Sequence, residues 1–373
     1  MASNRNKPCP CGSGQKYKNC HLNRSTEPRK PLNDLLTEFR GAKSHKICLH
    51  PDSSTTACSE KIIGAHSIQR KRLLERIARD GKVYGSSSDL IDIEKGEGRV
   101  QFKLSHIKSA STFNGFCGKH DAEVFLPIET RPLTFSPEQC FLLGYRAMCL
   151  ELHSKMGVAR ILKTMSHLDA GMPLEMQIAF QKEFASRSKF TMQGLEDVQY
   201  CKRELDIALR ARDYSRIDYY VVEFDSLPEV MCSGAKTPTV DIAGQAIQSL
   251  ELSNANVDSI TLNIVATEHG GAAVFTWLKK QGVSAAEKFV QSLVRLPDGA
   301  KAQAIVRVAL TIENSFFSPE WWEGLSSESR ERLGDRLQQA ADVYRPFPSQ
   351  VDDRHRDVNW NITRCHTSLN QTT

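Results

Sequence analysis

Thirteen residues near the N-terminus, CPCGSGQKYKNCH, place Cys9, Cys11, Cys20 and His21 within reach of one another. Three thiolates and one imidazole complete a tetrahedral structural site, the donor set that zinc accepts. Gly12 and Gly14 let the backbone turn tightly around an ion, while Lys16 and Lys18 offset the negative charge of three thiolates. So short a segment cannot bury enough apolar surface to fold alone, and metal binding supplies that free energy. The spacing predicts a first zinc centre, zinc 1, within residues 1–23.

The remaining cysteines extend the argument. There are 11 in 373 residues, and Cys48, Cys58 and Cys117 join the first three before position 121. An odd count, clustering beside histidines and no apolar export segment after Met1 speak for metal binding in a reducing compartment, so a cytoplasmic protein is expected. The most apolar stretch, 141–152, carries Arg146 and Glu151 and is shorter than the ~20 residues a membrane span needs. No membrane partner is expected. The net charge of +5 conceals an asymmetry: residues 1–121 hold 22 Lys and Arg against 12 Asp and Glu, the remainder 27 against 32. A polyanion such as DNA or RNA would dock on the N-terminal third.

Patterning divides the chain into an α+β multidomain protein. After the zinc knuckle (1–23) comes a linker (24–43) that ends in a short docking helix with Leu32, Leu35, Leu36 and Phe39 on one face. Residues 44–130 form a second zinc domain, with strand-like runs at 83–84 and 100–104 and a basic amphipathic helix over 67–79. Apolar spacings of three and four make 131–216 helical, opened by Ser136-Pro137. Residues 217–280 read as an antiparallel β region: IDYYVVEF, EVMCSG, TPTVDIAG, SITLNIVAT and AAVFTWL. Residues 281–345 return to helix, and 346–373 read as a polar, loosely ordered tail.

CPCGSGQKYKNCH, with Ser13, Gly14 and Lys18, resembles the SEC-C zinc motif found at the C-terminus of a bacterial preprotein translocase motor and appended to many bacterial proteins. The resemblance covers about a twentieth of the chain. It implies a docking role toward a protein partner and a protein of bacterial type, without implying secretion.

Cys117-x-x-His120 is a zinc half-site that requires a second pair, and Cys48 and Cys58 are the available thiols, with His50 competing for one position. These ligands would form zinc 2. A cysteine pair, a strand ending in His66, and Asn114 ahead of the second knuckle resemble the HNH (ββα-metal, treble-clef) endonucleases over about residues 46–125. The resemblance implies His66 as general base, Asn114 as its orienting partner, and Asp121 as ligand to a catalytic Mg2+ or Mn2+. Ala65 departs from the family pattern, which often has a metal-binding residue there; Asp52, Asp80 or another carboxylate would have to substitute. Arg70, Lys71, Arg72, Arg76 and Arg79, beside His66, would contact nucleic-acid phosphates. Two readings therefore stand: a metal-dependent endonuclease that hydrolyses phosphodiesters, or a non-catalytic zinc adaptor that docks a protein or ribosomal partner.

Overall fold

The computed structural model describes residues 5–59, 61–87, 99–250, 256–341, 349–351 and 355–369. In chain order its first half holds α1 (Leu32–Lys43), β1 (Ile62–His66), α2 (Glu75–Ile77), β2 (Lys82–Ser87), β3 (Gln101–His106), β4 (Thr112–Cys117), α3 (Gly118–Glu129), α4 (Pro137–Met165) and α5 (Leu174–Ala211). The second half holds β5 (Ile217–Phe224), β6 (Val230–Lys236), β7 (Ile260–Thr267), β8 (Gly270–Leu278), α6 (Ala285–Val294), α7 (Asp298–Ala309), β9 (Ser315–Phe317), α8 (Pro319–Gly324), α9 (Ser327–Ala341) and β10 (Ile362–Thr367). The α+β expectation holds. Among the described residues no helix is long and apolar enough to cross a membrane.

The chain forms two compact units, Met1–His45 with Leu152–Asp197, and Lys46–Glu151 with Val198–Thr373. In the first, α1 buries Leu36 and half-buries Leu35 and Phe39. Leu32, expected on the same face, is 55% exposed, because it is the helix's first residue and precedes the packed turns. Gly157 lies under the end of α1, where a Cβ would come within 3.2 Å of the Ala42 carbonyl. His45 and His153 stack at 4.0 Å, and His153 Nε2 lies 2.9 Å from the His45 carbonyl.

The second unit is built on an eight-stranded antiparallel sheet in the order β10-β5-β8-β7-β6-β9-β2-β3, with β1 and β4 as a separate pair. Ile260, Leu262 and Ile264 of β7 alternate onto a core shared with Phe275, Trp277, Phe289, Val290, Ile305 and Trp322. The intervening Thr261 points to the opposite face, as the period of two requires. There it bonds Thr276, its partner across β8, at 2.6 Å. Helix α4 crosses this pair at Gly144, whose ideal Cβ would lie 2.1 Å from Thr276 Oγ1.

Several expected elements come out differently. TPTVDIAG contributes only an isolated bridge, Val240 to Ala246, because Asp241 caps a tight turn by accepting from the N–H groups of Ala243 and Gln245. The helix expected over 67–79 is confined to a π-wound turn, Arg70–Leu74, followed by α2. Ser67 and Ile68 cannot join it, since both are bonded to Ser111. The β2–β3 hairpin, read as part of the second zinc domain, joins the large sheet through the three residues of β9.

The tail also corrects the sequence reading. Within 346–373, β10 pairs with β5 as an outer strand, and Val358 and Trp360 are buried. Asp357 lies between Arg307, fully buried on α7, at 3.1 Å and Arg332 at 2.5 Å. A strand at a sheet edge wears polar residues, so its composition resembles that of a tail.

Candidate metal centres

The first centre is shaped by a narrow loop. Pro8 and Lys16 form an antiparallel bridge, and the Cys9 N–H donates to the Gln15 carbonyl at 2.7 Å. Gly12 and Gly14 have φ of 85° and 74°, the left-handed conformation that lets the loop close. A 3-10 turn, Tyr17–Asn19, then delivers Cys20 and His21. The donor atoms of Cys9, Cys11, Cys20 and His21 all lie within 4.8 Å of one another. Cys11 Sγ to Cys20 Sγ is 3.7 Å, and His21 Nδ1 is 3.3 Å from Cys9 Sγ and 3.0 Å from Cys20 Sγ. Zn–S bonds of ~2.3 Å set tetrahedral edges of roughly 3.8 Å, so these spacings fit zinc. Burial pushes the Cys9 thiol up to about 12, so a bound cation has to displace its proton.

The second centre is assembled from distant segments. Cys48 and Cys58 come from the loops before β1, Cys117 ends β4 as the N-cap of α3, and His120 lies in that helix's first turn. Their donor atoms also lie within 4.8 Å of one another, with His120 Nδ1 at 3.4, 3.6 and 3.4 Å from Cys48, Cys58 and Cys117. Backbone bonds carry the loop to its place: Ile47 and Leu49 N–H donate to the Asn114 and Gly115 carbonyls. Burial raises the Cys117 thiol, but bonds from the His120 backbone and from the Ser59 hydroxyl and N–H outweigh it and hold it at about 6. His50 stands outside this quartet. Its ring stacks on His120 at 4.0 Å, leaving Cys58 to complete the set.

Around this centre, His66 ends β1 opposite Thr112, and Asn114 lies two residues further along the same face of β4. His66 Nδ1 is 3.2 Å from Ser111 Oγ, and burial, then the nearby Arg70, hold its pKa below the ordinary histidine value. Asp121 follows His120 on α3; one of its oxygens is buried without a hydrogen-bond partner, and burial raises the carboxyl to about 6. Both groups feel the charges of Arg146 and Glu129. Those two form a 2.6 Å ion pair, with Arg146 4% exposed and lying over the Phe125 ring at 3.9 Å. Asp52, a candidate substitute for Ala65, is paired with Arg210, and Asp80 occupies a left-handed turn with φ 52°.

The basic residues divide into two groups. Arg72 donates to the Glu129 and Arg131 carbonyls, Arg76 to the Thr267 carbonyl, and Arg79 pairs with Glu323 at 2.6 Å. These three therefore hold the segment to its own protein. Arg70 is half-buried and Lys71 exposed.

Residues 5–23 match the SEC-C motif. No curated protein and no solved structure matches the chain. The SEC-C match and the two Cys/His quartets together support a zinc-binding protein with two structural sites. The sequence reading missed Asp169, which bonds the outer nitrogen of His21 in the SEC-C motif, and it missed the Arg146–Glu129 pair. Neither carries a local signal, since Asp169 is 148 positions from its partner and Arg146 and Glu129 are 17 apart on different helices.

Proposed function

We propose that residues 46–125 form an HNH-type nuclease module, acting on DNA or RNA and braced by the second zinc centre. The observation that carries this reading is the convergence of Cys48, Cys58, Cys117 and His120 at the junction of β4 and α3. That junction ties the strand ending in His66 to the helix turn that bears Asp121. With Nδ1 beside Ser111 and its pKa lowered, His66 is a neutral imidazole near pH 7, suited to take a proton from an attacking water through Nε2. The Asp121 carboxylate suits Mg2+ or Mn2+, which would supply charge stabilisation at the phosphate; Asn114 would position His66. Arg70 and Lys71 remain as phosphate contacts, and Arg72, Arg76 and Arg79 act by fixing the segment that carries them. Zinc-ligating thiols are kept reduced in a reducing compartment, which supports a cytoplasmic protein.

A second reading, a non-catalytic zinc adaptor for a protein partner, is favoured by Arg146. Its buried guanidinium already supplies positive charge near Asp121, and Ala65 offers no ligand. The test is cleavage of plasmid DNA and of RNA by the purified protein with Mg2+ or Mn2+. His66→Ala should abolish cleavage while zinc content and folding persist. Absence of cleavage with every substrate and metal selects the adaptor.

A further inference from the structure

The SEC-C segment is joined to a part of its own chain that lies far away in sequence. Asp169, fully buried in the turn between α4 and α5, accepts from His21 Nε2 at 2.9 Å and from Gln181 Nε2 at 2.8 Å through one oxygen. Its other oxygen accepts from Arg24 Nε at 2.7 Å. Arg24 also donates to the Ser166 carbonyl at 2.7 Å, and its own carbonyl accepts from the Gly171 N–H at 2.9 Å. A Cβ at Gly171 would stand 3.0 Å from the Glu27 carbonyl, so the two segments approach backbone to backbone.

A carboxylate only accepts, so His21 donates from Nε2, and its Nδ1 lone pair is left facing Cys9 and Cys20. That is the tautomer that zinc requires, held by an outer partner of the kind that tunes metal-ligating histidines. We propose that Asp169 is the positioning residue of the first zinc centre, and that the SEC-C motif of this chain is an intramolecular clamp on the α4–α5 turn. Zinc bound at Cys9, Cys11, Cys20 and His21 holds the turn closed, and the turn holds the histidine for zinc. This coupling is independent of whether the second centre supports cleavage.

The experiment uses the full chain. Asp169→Asn places an amide N–H against either His21 or Arg24, and should weaken zinc at the first centre by about 10–100-fold in competition with a chelator. Affinity at the second centre should stay unchanged, and in the cobalt-substituted protein the d–d bands of the first centre should shift. Cys9→Ser, which alters no residue of the turn, should speed hydrogen exchange over residues 163–181 at least tenfold. Arg24→Gln keeps the His21–Asp169 bond and should loosen the turn with less than about threefold loss of zinc affinity, well short of the loss expected for an outer-partner deletion. Unchanged zinc affinity in Asp169→Asn, or unchanged exchange in Cys9→Ser, overturns the proposal. So does a loss in Arg24→Gln equal to that in Asp169→Asn, since Asp169 would then act only through the stability of the turn.

Discussion

Cys117 shows how one position is made fit to bind a metal ion. It stands at the N-terminus of α3, where backbone N–H groups favour negative charge, and Ser59 adds two further bonds to its sulfur. Cys117→Ser should therefore release one of two zinc ions per chain, read by elemental analysis, and lower the melting temperature. His66 differs because burial disfavours its charged form. Its folded-state pKa lies below the ordinary value of about 6.5, so the unfolded chain binds more protons in that interval. The resulting stability is complete above pH 6.5 and is lost as pH falls toward the folded pKa. Cleavage that depends on neutral His66 should decline over the same direction of pH, and the pH–rate profile of the purified protein checks it. The resemblance to HNH endonucleases pointed to His66, but the sequence could not say that Ser111 would face its Nδ1.

At the level of elements, α4 approaches the sheet closely because Gly144 has no side chain above the Thr261–Thr276 pair. Gly144→Ala should cost about 1–3 kcal/mol through overpacking, measured by urea unfolding, because a threonine hydroxyl on a paired strand cannot withdraw. Two residues before the sheet's outer strand, Trp360 stacks on Phe224 at 4.2 Å and bonds Glu229 at 2.6 Å. Trp360→Ala should destabilise by about 3–5 kcal/mol, the range for removing a buried aromatic. Apolar spacings of three and four revealed α4 and α5, and apolar runs bounded by turn residues revealed β5, β6, β7 and β8, whose residues are buried almost continuously. Neither signal could reveal β9, whose three residues are too few to show a period and become a strand only by lying between β6 and β2.

For the whole molecule, one buried cation anchors the C-terminal segment. Arg307 donates to Asp357 and to the carbonyls of Gln350 and His355, and Arg332 reaches the same carboxylate. Arg307→Met should cost about 3 kcal/mol, the lower end of the range for breaking a buried pair, because Arg332 still neutralises Asp357. The loss should appear as a lower midpoint in chemical unfolding with both zinc sites filled. The N-terminal excess of basic charge, plain in the sequence, is partly used for internal bonding by Arg72, Arg76 and Arg79. Net charge therefore overstates what is offered to a polyanion.

The sequence by itself determined the first Cys/His quartet, because its four donors are enclosed in thirteen residues with the spacing that a tetrahedral zinc ion accepts. It determined the α+β class for a similar reason, since long amphipathic and apolar runs carry their partners' pattern within themselves. Only the tertiary structure decided that Cys58 outranks His50, that Asp169 stands behind His21, that Arg146 lies near Asp121, and that the polar C-terminal stretch becomes β10. Those outcomes depend on which groups packing brings within a few ångströms of each other across tens to hundreds of residues. Hydrogen bonds and ion pairs at that separation leave no spacing in the chain to read.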